Sequence, residues 1–157
     1  METKANNLVV NGLIRNVRDC AGNELAVLNA DLLFGLSAEE KVINKLSVKF
    51  NEGIKKTEDQ YCRYDAVGET GTKYEIKTRR NRMNAFADTI IPVHKTAVEG
   101  RLVFVFAFTD HLAYILYEPV KFKNYRVSNI TAVRRGGIRT SIPHIHIPIQ
   151  DLIMIEI

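Results

Sequence analysis

Arg101-Leu-Val-Phe-Val-Phe-Ala-Phe-Thr109 holds an unbroken apolar run from Leu102 to Phe108, rich in β-branched and aromatic residues. A run of this length without alternation reads as a strand buried on both faces. Such a strand needs a paired neighbour on either side and a layer above and below it. Leu112-Ala-Tyr-Ile-Leu-Tyr-Glu118 follows across Asp110-His111 at hairpin distance, and Pro119 closes it. The fold class expected is α/β or α+β, built on a mixed sheet. With 157 residues the chain suffices for one domain with a real core. The same apolar run is far too short to cross a bilayer, so no membrane partner is expected. The N-terminus, Met-Glu-Thr-Lys-Ala-Asn-Asn, lacks the apolar centre of a signal sequence. Cys20 and Cys62 form no spaced pair, and no Cys/His set has zinc spacing. A reducing cytoplasm with free thiols is the simplest reading.

Other segments fall around this strand. Leu8–Val17 and Glu24–Phe34 are apolar and divided by Asp19-Cys-Ala-Gly-Asn23. Periodicity leaves the first open between helix and strand, while Leu25, Leu28, Leu32 and Leu33 favour a helix for the second. Ser37-Ala-Glu-Glu40 reads as a capping box with Glu40 spent on the cap. The helix it opens runs to about Val48, with Glu39 on the same face as Val42, Ile43 and Leu46. Asn51–Gln60 reads as a polar connection and Asn129–Thr140 as a flexible basic loop around Arg134-Arg-Gly-Gly-Ile-Arg139. Ile142-Pro-His-Ile-His-Ile-Pro-Ile alternates strictly, sending Ile145, Ile147 and Ile149 one way and His144, His146 and Pro148 the other.

The stretch that carries chemistry is Tyr64-Asp65-Ala-Val-Gly-Glu-Thr-Gly-Thr-Lys-Tyr74-Glu75-Ile76-Lys77. Tyr74, Ile76 and Thr78 alternate with Lys73, Glu75 and Lys77, so Glu75 and Lys77 share one strand face. Gly68-Glu-Thr-Gly71 reads as a hairpin connection that returns Asp65 to the side of Glu75. Two carboxylates suit Mg²⁺, which takes one or two protein carboxylates and keeps several waters. A lysine beside them can hold or deprotonate a water, or stabilise charge on a phosphate, which suits metal-assisted phosphodiester hydrolysis. The same spacing also fits a charged hairpin with a solvated Glu–Lys face.

The net charge of +4 is unevenly spread. From Lys121 onward, Lys121, Lys123, Arg126, Arg134, Arg135 and Arg139 face only Asp151 and Glu156. A basic half of this kind is what a phosphate backbone requires. Arg79, Arg80 and Arg82, just past Lys77, are expected to contact phosphate, while Arg134, Arg135 and Arg139 around Gly136-Gly137 read equally as a phosphate clamp or as an exposed basic loop. His94, Lys95, His144 and His146 complete the candidate DNA-binding set, with solvated surface positions as the alternative for each.

An acid, a turn, Glu-x-Lys on the next strand and then a buried strand resemble the PD-(D/E)xK nuclease superfamily. Asp65-Ala-Val, the nine residues between Asp65 and Glu75, and Tyr74-Glu75-Ile76-Lys77 are similar to the PvuII-type restriction endonucleases. That family has the same Asp-Ala-Val, the same gap and a Tyr-Glu-Leu-Lys. The likeness continues through Leu102–Phe108, Ile115-Leu-Tyr-Glu-Pro119 and Ile147-Pro148-Ile149, and covers roughly Asp65 to the end. It implies a restriction-endonuclease-like central mixed β-sheet flanked by helices. It implies one domain over 1–157, with 1–36 as a dimerisation or support segment and 37–157 as catalytic core and DNA-reading strands. The implied activity is Mg²⁺-dependent cleavage of double-stranded DNA at a palindromic site by a homodimer. By position, Asp65, Glu75 and the Ile76 carbonyl hold the metal. Lys77 orients or deprotonates the attacking water, or stabilises developing charge. Glu39 is an extra acid, placed only by its helix face.

The chain departs from that family in its base-reading regions. Where the family has a histidine cluster after the catalytic strand, Phe86-Ala-Asp-Thr-Ile-Ile-Pro-Val-His94 has one histidine. Where it has paired asparagines before the Ile-Pro strand, Pro143 and His144 stand. The resemblance therefore carries over the catalysis and leaves the recognition sequence open. A junction-resolving or repair endonuclease with the same metal site, and an inert DNA-binding relative, remain as alternatives.

Overall fold

The computed structural model describes residues 38–59, 62–133 and 135–155, with the main chain alone at Arg135. The expectations for Leu8–Val17, Glu24–Phe34, the Ser37 cap and Arg134 lie outside the described residues. Contacts divide the chain into two units, Met1–Val42 and Ile43–Ile157. Helix α1 spans residues 38–50. Its less exposed side follows the expected face: Glu39 and Val42 are half-buried, and Ile43 and Leu46 are buried. The helix runs two residues past Val48 because a Schellman motif ends it. Asn51 takes a left-handed φ of 52°, its N–H bonds the Val48 carbonyl at 3.3 Å, and the Glu52 N–H bonds the Ser47 carbonyl at 3.2 Å.

The second unit contains a mixed six-stranded sheet and a separate three-stranded sheet. The larger has β1 (Ile54–Lys56), β2 (Ala66–Gly68), β3 (Lys73–Thr78), β5 (Leu102–Ala107), β6 (Leu112–Leu116) and β9 (Ile153–Met154) in that order. β3 and β5 are parallel, and every other pairing in it is antiparallel. The smaller places β8 (Arg139–Pro148) between β4 (Asp88–Pro92) and β7 (Val127–Val133). With α1, the one-turn helix α2 (Pro119–Phe122) and a few 3-10 turns, the fold is mixed α and β with little helix. No helix among the described residues is long and apolar enough to cross a membrane.

The apolar run lies at the centre, as its composition requires. Leu102, Phe104, Phe106 and Phe108 of the β5 segment join Ile91, Ile145, Ile147 and Ile149 of the small-sheet strands and their ends in one buried cluster. Each aromatic ring fully removed from water contributes about 2–3 kcal/mol. Val103 and Val105 point to the opposite face and are equally buried. That face is shared by their register partners Tyr74 and Ile76. Phe50 at the end of α1 packs there on Tyr74 and Tyr114, with ring centroids 5.8 and 5.0 Å away. Ile145, Ile147 and Ile149 are buried as alternation predicted, while His144, His146 and Pro148 occupy the half-exposed face.

Three strands lie where the sequence reads as connection or carried no strand reading. β1 falls inside Asn51–Gln60, β4 inside Phe86–His94, and β7 with the start of β8 replaces the basic loop. β1 and β7 are edge strands with mostly exposed side chains, so they carry little apolar signal. Gly136 and Gly137, both at φ 78°, form the hairpin turn itself rather than a longer loop.

The β2–β3 turn is secured by two glutamates. Gly71 takes φ 92°, which a side chain would oppose, and its N–H bonds the Gly68 carbonyl at 2.9 Å. Glu52 Oε1 accepts from the Thr70 N–H at 3.1 Å and hydroxyl at 2.9 Å, and Oε2 accepts from the Tyr74 hydroxyl at 2.8 Å. Glu69 in return accepts from the Gly53 N–H at 3.0 Å. A Cβ at Gly68 would lie 2.5 Å from the Glu52 carboxyl, so a side chain there would have to push that carboxyl aside. The Thr70 amide first, and then the Tyr74 and Thr70 hydroxyls, hold the Glu52 carboxyl below the ordinary glutamate range against the opposing effect of burial. An acid depressed by folding stabilises above its unfolded pKa, and that stability is lost as pH falls through the folded value. Wild-type protein is therefore expected to lose melting temperature on acidification below the ordinary glutamate range. Glu52→Gln should show a flatter profile in that window. Parallel melting curves for the two proteins from neutral pH to pH 3 would remove Glu52 from the account.

Candidate active site

Asp65 stands just before β2, against the stretch of β3 that carries Glu75. Ala66 pairs with Tyr74 in the antiparallel β2–β3 ladder, and Asp65 bonds β3 at Tyr74 and Ile76, on either side of Glu75. The main chain of Asp65 is held from both sides. Its N–H bonds the Tyr74 carbonyl at 2.8 Å, and its carbonyl accepts from the Thr57 N–H at 2.9 Å and hydroxyl at 3.1 Å. The carboxylate turns towards β3, where Oδ2 accepts from the Ile76 N–H at 2.8 Å. A strand residue sends its N–H and C=O to the same edge. The Ile76 carbonyl therefore faces the side on which Asp65 lies, beyond the last residue of β2.

Glu75 is 2 % exposed, an unusual position for a carboxylate. It stands beside Phe104 in the parallel β3–β5 pairing, as Lys77 stands beside Phe106, so both point to the side of the main core cluster. Burying a charge is tolerated when it is paired. Here the pairing is double: Lys77 Nζ lies 2.8 Å and Lys95 Nζ 3.2 Å from Glu75 Oε2. Both lysine side chains keep partial solvent contact, at 22 % and 27 % exposure. The centre is thus a buried carboxylate whose cations reach the surface.

Compared with known protein families, curated proteins and solved structures, this chain matches none. The donor set must therefore be judged on its own chemistry. Among the described residues no three Asp, Glu, His or Cys side chains group as a metal-binding cluster. Mg²⁺ does not require three, since it binds through one or two carboxylates and keeps water. Asp65, just before β2, and Glu75 with the Ile76 carbonyl, on β3, are hard oxygen donors of the kind such an ion takes.

The remaining candidates separate by environment. Lys95, expected on DNA, stands instead on Glu75, carried there by the 3-10 turn Val93–Thr96 after β4. His94 on the same turn is exposed. Arg79 is directed inward: Nε bonds Thr89 Oγ1 at 3.1 Å, a terminal nitrogen bonds the Ile90 carbonyl at 2.5 Å, and the guanidinium lies 5.5 Å from the Phe106 ring centre. Desolvation lowers its pKa from the ordinary arginine value. Arg80, Arg82 and Arg139 are exposed, with Arg82 3.5 Å from Asp110. Arg135 lies in the β7–β8 turn. Glu39 belongs to the unit ending at Val42, and Asp65, Glu75 and Lys77 to the other.

His144 and His146 hold interactions of their own. His144 Nδ1 lies 2.9 Å from the Ile142 carbonyl. His146 Nε2 lies 2.6 Å from Ser128 Oγ, and Nδ1 lies 3.0 Å from an Arg126 nitrogen and 3.4 Å from Asp88 Oδ1. This network ties the three strands of the small sheet. At Nδ1 the Arg126 donor favours an accepting nitrogen and the Asp88 carboxylate a protonated one, so these two neighbours oppose each other. An open cavity of about 260 Å³, lined by Arg63, Tyr64, Lys73, Ala97, Val98 and Glu99, adjoins the Asp65 segment and contains none of the three acid–lysine residues.

Proposed function

We propose that this chain is a Mg²⁺-dependent endodeoxyribonuclease that hydrolyses double-stranded DNA at a specific site, of the PvuII-like type II restriction kind, acting as a cytoplasmic homodimer. The observation that carries the reading is Asp65 bonded to Tyr74 and Ile76, the neighbours of Glu75 on β3, with Lys77 2.8 Å from the buried Glu75 carboxylate. The mixed sheet, with the Glu-x-Lys strand parallel to the buried apolar strand, accords with the restriction-endonuclease-like core that the sequence resemblance implies. Asp65, Glu75 and the Ile76 carbonyl would hold the ion. When bound, it supplies charge for a phosphate oxygen and for an attacking water. The Lys77 ammonium donates hydrogen bonds to that water or to a non-bridging phosphate oxygen. Exposed Arg80 and Arg82, on the segment after β3, supply phosphate contacts that set register without reading sequence. A two-fold homodimer follows from the need to cut both strands of a palindrome.

Incubating one defined plasmid with the protein and Mg²⁺ is expected to give discrete bands that chelation abolishes. Cleavage confined to branched DNA would replace the restriction reading with a structure-selective one. No Mg²⁺-dependent cleavage of either substrate would remove the nuclease reading.

A further inference from the structure

We propose that Lys95 is a positioning residue of the Glu75 site, a resident cation that shares the carboxylate with Lys77 and yields its place to the divalent ion. This rests on the metal-nuclease reading of the same site and deepens it. Glu75 is buried, and a buried carboxylate needs a partner in every state of the protein. Without a metal, two ammoniums supply it, Lys77 at 2.8 Å and Lys95 at 3.2 Å, both on the same oxygen Oε2. A dication arriving at this carboxylate meets the repulsion of both ammoniums, and that repulsion is relieved when one lysine swings away.

The geometry points to Lys95 as the one that leaves. Lys77 extends from β3, which is fixed by its parallel pairing to β5 at the Lys77–Phe106 position. Lys95 extends from a four-residue 3-10 turn, is the more distant of the two, and keeps the greater exposure. Its long stem can swing the ammonium to water without moving the sheet. Lys95 therefore keeps Glu75 charged and oriented before metal arrives, and competes with the metal for it.

The test uses the full chain without DNA and Mn²⁺ as the probe, with free Mn²⁺ counted by electron paramagnetic resonance. Lys95→Met is expected to bind Mn²⁺ roughly tenfold more tightly than wild type, since a competing cation and its repulsion are gone. Lys95→Arg, which keeps the charge, should stay near wild type, and Glu75→Gln should lose binding. A merely structural lysine would leave affinity unchanged or weaken it. Equal or weaker binding by Lys95→Met, with binding still dependent on Glu75, overturns the role of Lys95 and leaves the metal site standing. Failure of wild type itself to hold Mn²⁺ at millimolar concentration overturns both. Thermal melts of Lys95→Met and Lys95→Gln with and without Mg²⁺ give a second readout. The Mg²⁺-induced rise in melting temperature should exceed that of wild type, and an equal or smaller rise counts against the proposal.

Discussion

Asp65→Ala and Lys77→Ala are each expected to lose Mg²⁺-dependent DNA cleavage by about a thousandfold or more while the protein still folds and binds DNA. The two changes remove different parts of the chemistry. Asp65 supplies one of two carboxylates, and its loss leaves Glu75 as the sole acidic ligand placed by the β2–β3 ladder. Lys77 supplies the ammonium beside the water or phosphate. The fold should tolerate both. The main chain of Asp65 is tied to Thr57 and Tyr74 independently of its side chain. Removal of Lys77 leaves Lys95 at 3.2 Å to neutralise Glu75, so no buried charge is stranded. Asp65→Asn is the sharper variant, because its amide oxygen can still accept from the Ile76 N–H while the ligand charge is gone. Supercoiled-plasmid cleavage gives the activity, and gel mobility shift in Ca²⁺ gives the binding. Undiminished cutting by either alanine variant would refute the site.

Arg79→Ala is expected to destabilise the fold by about 2–4 kcal/mol, a larger loss than any exposed arginine nearby would cause. Its guanidinium bonds Thr89 Oγ1 and the Ile90 carbonyl and covers the Phe106 ring, joining the end of β3 to β4. Truncation leaves the buried Thr89 hydroxyl without that donor and opens space over an aromatic of the central strand. Arg80→Ala, one residue away and exposed, should stay within about 0.5 kcal/mol of wild type. It should instead weaken DNA binding across sequences and reduce the salt slope by about one. Chemical denaturation and binding over a range of salt separate the two. Wild-type stability of Arg79→Ala with weakened DNA binding would reverse the assignment.

These neighbouring arginines mark what a sequence can and cannot disclose. Leu102–Phe108 announces its buried position by composition, and Glu75 and Lys77 announce their shared face by alternation, because both properties are local. The gap from Asp65 to Glu75 needed only a hairpin to bring Asp65 beside that stretch of β3. Lys95 gave no such signal. It reaches Glu75 because β4 crosses to the second sheet and returns a 3-10 turn to the rim of β3, a contact made by tertiary packing alone. Arg79 and Arg80 look alike in sequence, yet alternation past Lys77 turns the first into the protein and the second out of it. β7 was hidden for another reason: Val127-Ser-Asn-Ile-Thr-Ala-Val is an edge strand with little to bury, so propensity competes there with turn-like residues. The polar tie of His146 to Ser128, Arg126 and Asp88 likewise joins positions that only strand pairing brings together.

The interval between Asp65 and Glu75 acts as a ruler cut to a fixed mark. Side chains change face at every step along a strand. One residue of slippage between β2 and β3 would move Ala66 from Tyr74 to Lys73 or Glu75, whose side chains lie on the opposite face of the sheet. The turn from Gly68 to Gly71 can change in kind, but its residue count is part of the chemistry. A deletion there would leave every candidate ligand in the sequence and dissolve the site they form.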